Sequence, residues 1–421
     1  MSSSNFNIVM YSQDGRGLGR TTRTLKIAAY LVKQIPEASI LLLTDLSLVG
    51  RLKIPERVDF VHLPEVVLEN GRALTQNLTL GSSSVLKIRR KITRTAVKTF
   101  KPNWIIIDRD PLFLPDEVKR TFSFVRKRLP ETRVAWALPD VLGDPELVCQ
   151  EMRRLDVYKV LNRVAHEIWI FGVREIFNQE MAYRYPEELA RKVRYLGYLQ
   201  APDAGSAALG TEGVLSSGKP FVLVAAGSGV RGYQLLDNYL KMLERSGQDW
   251  PFASVVVSGP MMDSTQKSDI KQRCEKLPDV EFHRFSKHLL QYVKQAELVI
   301  TTGGFNLMCE VLSYQKNALF VPDSGNYNEH LFRSRLLNER GFAHLLSPDR
   351  LTPEALQKHI HQILRTSPGA QSPGRVLFQQ NALENILARL KSGRTQSAGG
   401  KGSNGASAGH SSPTAMAEMG K

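Results

Sequence analysis

Short apolar runs that alternate with helical stretches constrain the fold of this chain more than any other feature. The first half contains "NIVMYS", "ASILLLTD", "VDFVHL", "NWIIIDRD", "TRVAWALPD" and "HEIWIFG", and the second half restarts with "PFVLVAAGSG", "ASVVVSGP", "VEFHRFS", "AELVITTGG" and "NALFVPDSG". Strands that alternate with helices form parallel sheets covered on both faces. The sequence therefore predicts an α/β chain with two doubly wound domains.

The boundaries follow from changes in composition along the chain. Residues 201–220 are rich in Gly, Ala and Ser and predict a linker between an N-terminal domain at 1–200 and a C-terminal domain at 221–375. Residues 376–391 place Leu377, Ala382, Ile386, Leu387 and Leu390 on roughly one face, which predicts a helix that packs on the domains. Residues 392–421 have almost nothing to bury, so we expect a disordered tail.

Charge and cysteine content narrow the partners and the compartment. The formal net charge of +15 favours anionic partners such as nucleotides, phosphorylated substrates or acidic lipid. Three well-separated cysteines suggest neither a disulfide framework nor a zinc site, which fits a reducing cytoplasm. No signal peptide or run of about eighteen apolar residues is present, so any membrane contact is expected to be peripheral.

Glycine-rich strand ends are the places to search for a ligand, because helices that follow strands present unpaired N–H groups to anions. The first such end runs from Asp14 to Arg20, and its glycines do not form a dinucleotide fingerprint. We interpret Gly17 and Gly19 as part of a substrate-contacting loop, a tight strand-to-helix turn being the alternative. A second end, Gly227, Ser228 and Gly229, could hold a diphosphate through backbone N–H groups, although it is not a Walker motif.

The strongest motif is "TTGGFNLMCE". Gly303 and Gly304 allow a ligand to approach a helix N-terminus, whose partial positive charge suits a diphosphate. Two turns further on, a carboxylate at Glu310 could accept hydrogen bonds from both hydroxyls of a ribose. The alternative is that Glu310 pairs with a lysine.

Polar residues also follow the next strand, in "FVPDSGNYNEHLF". Asn326, Asn328, Glu329 and His330 open a predicted helix and could contact sugar hydroxyls. Helix capping by Asn328 is the alternative, and it would leave the Glu-His pair unexplained.

These motifs resemble the GT-B glycosyltransferases, in the family 28-like branch that contains the peptidoglycan N-acetylglucosaminyl transferase. The resemblance between Gly227 and Ala343 rests on "AAGSG", "SGPMM", "ELVITTGGFNLMCEVLSYQKNALFVP" and "NEHLFRSRLL". The first half matches more loosely through "MYSQDGRGLGRTTRTLKIA" and "WALPDVLGDPE", so the resemblance spans most of residues 5–390. It implies two Rossmann-like domains that face each other across a cleft.

The resemblance also implies a substrate and roles for individual residues. The donor would be a nucleotide sugar, most often a uridine diphosphate sugar, and Gly303, Gly304 and Phe305 would line its diphosphate. By the same resemblance, Glu310 would bind the ribose, Glu329 and His330 would face the sugar, and Phe285 would contact the uracil. A direct, inverting displacement without a metal or other cofactor is implied, with an acceptor that is often lipid-linked.

One position departs from the family pattern. Arg20 stands where relatives commonly have a histidine that is a proposed catalytic base, and a guanidinium stays protonated at any working pH. Asp14 and Asp140 are the candidate bases, with turn formation or helix capping as the alternative for each, and Arg20 could stabilise the departing phosphate. An inactive nucleotide-sugar-binding protein and a nucleotide-sugar 2-epimerase of the same fold remain the competing interpretations.

The segment from Val85 to Lys101 has an apolar face among many basic residues. It predicts a basic amphipathic helix that lies against acidic lipid, with an ordinary domain helix as the alternative. Nucleic acid is the weaker alternative as an anionic partner, because the sequence has no aromatic platform or known binding module for it.

Overall fold

The computed structural model describes residues 5–14, 17–69, 72–113, 116–199, 218–245, 250–286, 288–323, 326–365 and 380–399. Their first half contains strands β1 (Phe6–Ser12), β2 (Ala38–Thr44), β3 (Val58–His62), β4 (Val66–Glu69), β5 (Arg72–Thr75), β6 (Trp104–Asp108), β7 (Arg133–Pro139), β8 (Glu167–Phe171) and β9 (Val193–Tyr195). Seven of them form a parallel sheet in the order β3-β2-β1-β6-β7-β8-β9, and β4 and β5 pair as an antiparallel hairpin. Ser12 lies opposite both Thr44 and Asp108, so the residues that follow β1, β2 and β6 share one sheet edge.

The second half forms its own sheet. Strands β10 (Phe221–Ala225), β11 (Ala253–Val257), β12 (Val280–His283), β13 (Leu298–Thr301), β14 (Asn317–Phe320) and β15 (His344–Leu345) pair in parallel in the order β12-β11-β10-β13-β14-β15. Every strand predicted from an apolar run is present. The hairpin and the short strands β9 and β15 were not predicted, because each is too short for a clear apolar pattern.

Helices connect the strands and cover both faces of each sheet. They are α1 (Gly19–Gln34), α2 (Ser82–Phe100), α3 (Asp116–Arg128), α4 (Pro145–Arg154), α5 (Val157–Val164), α6 (Gln179–Ala182), α7 (Glu187–Ala190), α8 (Tyr233–Arg245), α9 (Ser264–Cys274), α10 (Leu289–Gln295), α11 (Phe305–Ser313), α12 (Glu329–Glu339), α13 (Pro353–Arg365) and α14 (Ala382–Gly399). Short 3-10 turns lie at Val49–Arg51, Asn326–Asn328 and Pro348–Arg350. Within the described ranges, no helix is long and apolar enough to cross a bilayer.

Three apolar clusters hold these layers together. One packs under the outer face of the first sheet and another under the outer face of the second. The third contains residues of both halves, including Phe171 and Tyr198 from the first half and Phe305 from the second. The two sheets therefore meet through a continuous apolar contact, and this contact fixes the position of the residues around Phe305.

The C-terminal helix differs from its predicted bounds. It begins at Ala382 and continues to Gly399, past the predicted start of a disordered tail at residue 392. Its buried residues Ala382, Ile386 and Leu390 pack in the shared cluster, and the guanidinium of Arg389 binds Glu167 in β8 (2.7 Å). The chain thus returns to its first half, where Glu167 and apolar contacts stabilise a helix that composition alone does not favour.

Some of the predicted boundaries fall outside the described residues. Leu377 and the rest of the predicted helix start at 376–379 lie there, as does the tail from 400 onward. The predicted linker also lies outside the described residues, apart from 218–220. The domain boundaries therefore stay predictions.

The basic amphipathic helix is an ordinary domain helix along most of its length. Val85 and Val97 in α2 are buried, and Ile92, Ala96 and Phe100 pack against the outer cluster of the first half. Arg89, one of the basic residues around the apolar face, is 1% exposed and donates to Glu117 (2.9 Å). The protein's own core therefore covers most of the apolar face of α2, which favours the alternative of an ordinary domain helix, and contact of this segment with lipid stays a prediction.

Candidate active site

The N-termini of α1 and α11 meet where the two sheets face each other. The side-chain amide of Asn306, in the first turn of α11, donates to the carbonyl of Gly19 at the start of α1 (2.7 Å). Gly19 was predicted to lie in an acceptor loop, and the structure places it directly against the helix that was predicted to hold the donor. Gly17 lies nearby, and a Cβ on it would make only ordinary contacts, the nearest at 3.5 Å from the carbonyl of Asp14.

Gly303 and Gly304 form the turn into α11. Gly303 has a φ of +76°, and a Cβ there would lie 2.6 Å from the Ser334 hydroxyl of α12. Glycine is thus required by the backbone and by the packing of α12, whatever ligand binds. Gly304 is the N-cap residue, and a Cβ on it would lie 3.9 Å from the imidazole of His330. The first N–H groups of α11 lack intrahelical acceptors, as at any helix start.

Phe305 does not line a diphosphate with its side chain. The ring is buried, 6.4 Å from the rings of both Phe171 and Tyr198 between centroids. The guanidinium groups of Arg23 and Arg333 lie 5.0 and 5.6 Å from its centroid. The predicted role is wrong for the side chain of Phe305, because the ring anchors the two halves to each other. Only the backbone of Phe305 is left to contact a diphosphate at the helix start.

Glu310 lies on α11 with its carboxylate in an ion pair with Lys26 of α1. Both side chains are largely buried. This is the lysine pairing that the sequence left open as the alternative for Glu310. Lys26 comes from the other half of the chain, so the Glu310 carboxylate faces the cleft. The group that was predicted to bind the ribose is therefore already paired with a lysine.

The loop of Gly227, Ser228 and Gly229 follows β10 at the same edge of the second sheet. Gly227 and Gly229 both have positive φ, and a Cβ on Gly229 would lie 2.4 Å from the carbonyl of Ser258. The carbonyl of Ser228 accepts a hydrogen bond from the backbone N–H of Met261 (2.9 Å). These glycines therefore serve the close packing of two loops. After β12, which lies on the other side of β11, the ring of Phe285 is 56% exposed and open to a ligand.

Glu329 and His330 begin α12, and each lies close to a side chain that can carry the opposite charge. Glu329 accepts from Arg333 one turn later (2.7 Å), and His330 Nδ1 lies 3.1 Å from Asp323. Burial acts to raise the pKa of Glu329, but Arg333, His330 and Arg20 together hold it below its ordinary value. Glu329 is therefore a carboxylate rather than a carboxylic acid near neutral pH.

Asp140 is tied to the second half of the chain. The fully buried guanidinium of Arg333 donates to its Oδ1 (2.9 Å), which also accepts from the N–H of Val141 (2.9 Å). Burial raises the pKa of Asp140, although Arg333 opposes this shift. The ion pair between Asp140 and Arg333 links the two sheets and encloses the carboxylate. The structure therefore disfavours Asp140 as the base that deprotonates an acceptor.

Asp14 caps α1. Its Oδ1 accepts from the N–H of Arg20 and its Oδ2 from the N–H of Thr21, both at 2.7 Å. Burial raises its pKa, while Thr21 and Arg20 lower it. Both oxygens are occupied by backbone donors, so the capping alternative describes Asp14 and the catalytic prediction is disfavoured.

Arg20 lies among carboxylates. Burial acts to lower its pKa, but Asp110, Asp108, Glu329 and Asp14 raise it above the ordinary value. These carboxylates stabilise its positive charge, and Glu329 contributes from the opposite half. Asp110 acts on Arg20 more strongly than the other carboxylates.

The sequence alone assigns no role to Lys26, Arg333 or Asp110. Arg333 follows Glu329 by four residues, so helical spacing could have paired them, but its bond to Asp140 joins residues 193 positions apart. Asp110 ends the quoted run "NWIIIDRD", and its place at the strand end was the available signal.

Comparisons with known proteins agree with this arrangement. Residues 221–388 match the model of the Glycosyltransferase family 28 C-terminal domain. An uncharacterized glycosyltransferase of Methanosarcina mazei is 26% identical over 126 residues, which are 30% of this chain and 31% of the relative. The UDP-N-acetylglucosamine–N-acetylmuramyl-(pentapeptide) pyrophosphoryl-undecaprenol N-acetylglucosamine transferase of Geobacillus kaustophilus is 25% identical over 113 residues, 26% of this chain and 32% of the relative. The matched segments thus span about a third of these relatives.

Solved structures match along nearly the whole chain. A UDP-glucose: anthocyanidin 3-O-glucosyltransferase in complex with UDP has a TM-score of 0.64 at 13% identity and covers 94% of this chain and 100% of its own. MurG of Acinetobacter baumannii has a TM-score of 0.57 at 14% identity, with coverages of 92% and 99%. At such identities these matches establish the fold alone. The predicted GT-B fold and the resemblance to family 28 are confirmed.

Proposed function

We propose that this chain is a glycosyltransferase that moves a sugar from a uridine diphosphate donor to an acceptor hydroxyl bound between the two sheets. One observation carries the proposal. The segment that matches the family 28 model contains β13, the Gly303–Gly304 turn and α11, and this turn faces the first sheet across the cleft. The N-terminus of α11 and the Glu310 carboxylate two turns later therefore both face the cleft between the two sheets.

The donor roles follow from that geometry. The positive end of α11 binds the diphosphate through backbone N–H groups, and Glu310 binds the ribose once Lys26 releases it. The exposed ring of Phe285 stacks on the base, and His330, beside Gly304, faces the donor sugar. The displacement is inverting, and the helix end offsets the charge of the leaving diphosphate.

Uridine is the proposed base because relatives and solved structures point to it. The Geobacillus kaustophilus relative is named for a UDP-N-acetylglucosamine donor, and the anthocyanidin enzyme was solved with UDP. The test is calorimetric binding of uridine, guanosine, thymidine and adenosine diphosphates. We expect micromolar binding of the uridine compound and loss of binding in Glu310→Ala.

Glu297→Ala is the matched control for that experiment. Glu297 is exposed just before β13, at the opposite end of the strand from the glycine turn. It should bind uridine diphosphate like the wild type. If none of the four nucleotides binds, or if Glu310→Ala binds as well as the wild type, the proposed function is wrong.

A 2-epimerase is the second candidate, because a solved structure from Listeria monocytogenes described as a UDP-N-acetylglucosamine 2-epimerase has a TM-score of 0.62 at 11% identity. The two reactions differ in their products. A transferase gives free UDP and a glycoside, whereas an epimerase leaves the nucleotide attached to the epimeric sugar. Incubation with UDP-N-acetylglucosamine and separation of the nucleotides distinguishes them.

The acceptor is proposed to be lipid-linked, with the protein bound peripherally to an anionic membrane. Support comes from exposed apolar side chains in the segment from β5 to the first turns of α2. The hairpin of β4 and β5 packs against α2 there, and exposed basic residues lie close by in sequence. These residues are Leu74, Leu78, Leu80, Ile88, Lys87 and Lys91. This surface, unlike the buried face of α2, is free to enter a lipid interface.

Co-sedimentation with vesicles tests the membrane proposal. We expect binding to vesicles that contain phosphatidylglycerol and little binding to pure phosphatidylcholine. Leu78→Ser with Leu80→Ser should lower the bound fraction severalfold. Leu147→Ser, which removes a similarly exposed leucine from α4, is the control and should not. Equal binding by both variants would reject this surface.

A further inference from the structure

We infer that Asp110 is the general base that activates the acceptor hydroxyl. This inference rests on the proposed function and adds a catalytic residue to it. Asp110 follows β6 at the edge of the first sheet where the two halves meet, and it acts electrostatically on Arg20 of α1 and Glu329 of α12. It therefore lies in the cleft, on the side assigned to the acceptor.

Three other carboxylates at this sheet edge are occupied. Backbone N–H groups bind both oxygens of Asp14, and the guanidinium of Arg23 binds both oxygens of Asp108 (2.8 and 2.6 Å). Asp45 accepts from the N–H of Asp14 and from Arg89, and it is 1% exposed. None of these three can take a proton from an acceptor without losing a buried partner.

Asp110 differs from them in its hydrogen bonds and exposure. Its Oδ1 accepts from the N–H of Leu112 (2.9 Å), and within the described part of the chain no hydrogen bond is made to Oδ2. The residue is half-buried, so an acceptor can reach the second oxygen. Burial raises its pKa, which brings a carboxylate closer to the proton affinity that suits a general base.

Arg20 gains a role from this arrangement. It cannot remove a proton, but its charge acts on Asp110 and limits the rise in the pKa of that carboxyl. Arg20 thereby favours the ionised form of Asp110, which burial makes a stronger base than an exposed aspartate. Arginine is thus compatible with catalysis at this position.

The proposed step balances in protons and electrons. The acceptor O–H transfers its proton to Asp110, and the oxygen lone pair forms a bond to the anomeric carbon. The bond between that carbon and the diphosphate oxygen breaks, and its electron pair leaves with the uridine diphosphate. No oxidant or other reactant is needed.

The experiment compares two small nucleophiles, because water must lose a proton when it attacks and azide has none to lose. UDP release from UDP-N-acetylglucosamine and UDP-glucose is measured with water alone and with sodium azide, in wild type, Asp110→Asn and Asp59→Asn. We expect Asp110→Asn to lower release with water by about 100-fold and to leave the azide reaction within about threefold. Asp59, exposed on β3, is the charge-matched control and should change neither rate.

The pH dependence gives a second readout. Among the described residues, the charged or titratable groups that act on Asp110 include Arg20, Arg109, Glu329 and Tyr327. Release with water in the wild type should rise with pH as Asp110 ionises, and that step should be absent from Asp110→Asn. Binding of uridine diphosphate should be unchanged in the variant.

The inference is overturned if Asp110→Asn slows both nucleophiles equally, if it slows neither, or if it abolishes binding of uridine diphosphate. Failure of the proposed function looks different. In that case the wild type itself releases no UDP from either sugar nucleotide with water or azide, and the role of Asp110 falls with it.

Discussion

Lys26 of α1 and Glu310 of α11 form an ion pair across the two halves of the chain, with side chains 24% and 11% exposed. The proposed ribose ligand is thus already paired in the structure without a nucleotide. A donor has to break this pair before Glu310 can accept hydrogen bonds from the ribose hydroxyls. The ion pair therefore competes with the substrate.

Lys26→Met should strengthen the binding of uridine diphosphate. The substitution removes the competing cation and keeps an unbranched side chain, and a pair of this kind contributes about 1 kcal/mol, or about fivefold in Kd. Lys33→Met, in the exposed last turn of α1, is the control and should bind like the wild type. Calorimetry decides the question, and weaker binding by Lys26→Met would show that the lysine contacts the nucleotide instead.

Arg333→Met should be strongly destabilising. Arg333 is fully buried and neutralises Asp140 and Glu329, and removing one partner of a buried ion pair costs about 3–5 kcal/mol. The midpoint of urea denaturation measures the loss, with Arg335→Met, exposed on the same helix, as the control. Adding Asp140→Asn to Arg333→Met should recover part of the loss, because the uncompensated carboxylate is removed. No recovery would argue against the ion pair as the cause.

The fold was predictable from the sequence because apolar runs and helical spacing are local signals. The eleven predicted strands are present, and the glycine turns lie at the sheet edge where parallel strands place them. The C-terminal helix was placed less well, because contacts such as Arg389 with Glu167 join residues 222 positions apart. The composition of the chain near residue 392 does not predict such long-range contacts.

The position of the candidate site was predictable from the sequence, but the contacts of its side chains were predictable only in part. Gly303, Gly304 and Glu310 lie at the cleft as expected, whereas Phe305 packs inward and Asp14 caps a helix. The partners of Glu310 and Asp140 come from the opposite half, so no local pattern reveals them. Which aspartate keeps an accessible oxygen depends on these long-range partners, and for this reason Asp110 was missed.

Gly303→Ala should destabilise the protein by about 2 kcal/mol, because a non-glycine residue at positive φ is strained and its Cβ would meet the Ser334 hydroxyl at 2.6 Å. Adding Ser334→Ala removes that hydroxyl and should recover the steric part only. Gly50→Ala is the control, since a methyl group there would have no other atom within 4 Å. Urea denaturation of the four proteins measures these effects, and an unchanged midpoint in Gly303→Ala would contradict the geometry.

Stability should fall below neutral pH through His166. Burial, together with Arg126, Arg133 and Lys192, lowers the pKa of His166 from 6.5 to about 4. Its Nδ1 accepts from the N–H of Val134 (2.9 Å), a bond that is lost when that nitrogen is protonated. The unfolded chain binds this proton more readily than the folded chain, so the stabilisation is complete above pH 6.5 and declines as the pH falls toward about 4.

His166→Asn tests that pH dependence. The asparagine amide oxygen can accept from the Val134 N–H and does not titrate, so the variant should lose less stability than the wild type between about pH 7 and about pH 5, by about 1–2 kcal/mol. Urea denaturation at both pH values measures the difference. The cations that act on His166 come from α3, β7 and the residue before β9 and oppose an added proton, whereas Glu167 in β8 favours it. If both proteins lose the same stability, His166 does not control the acid sensitivity of the fold.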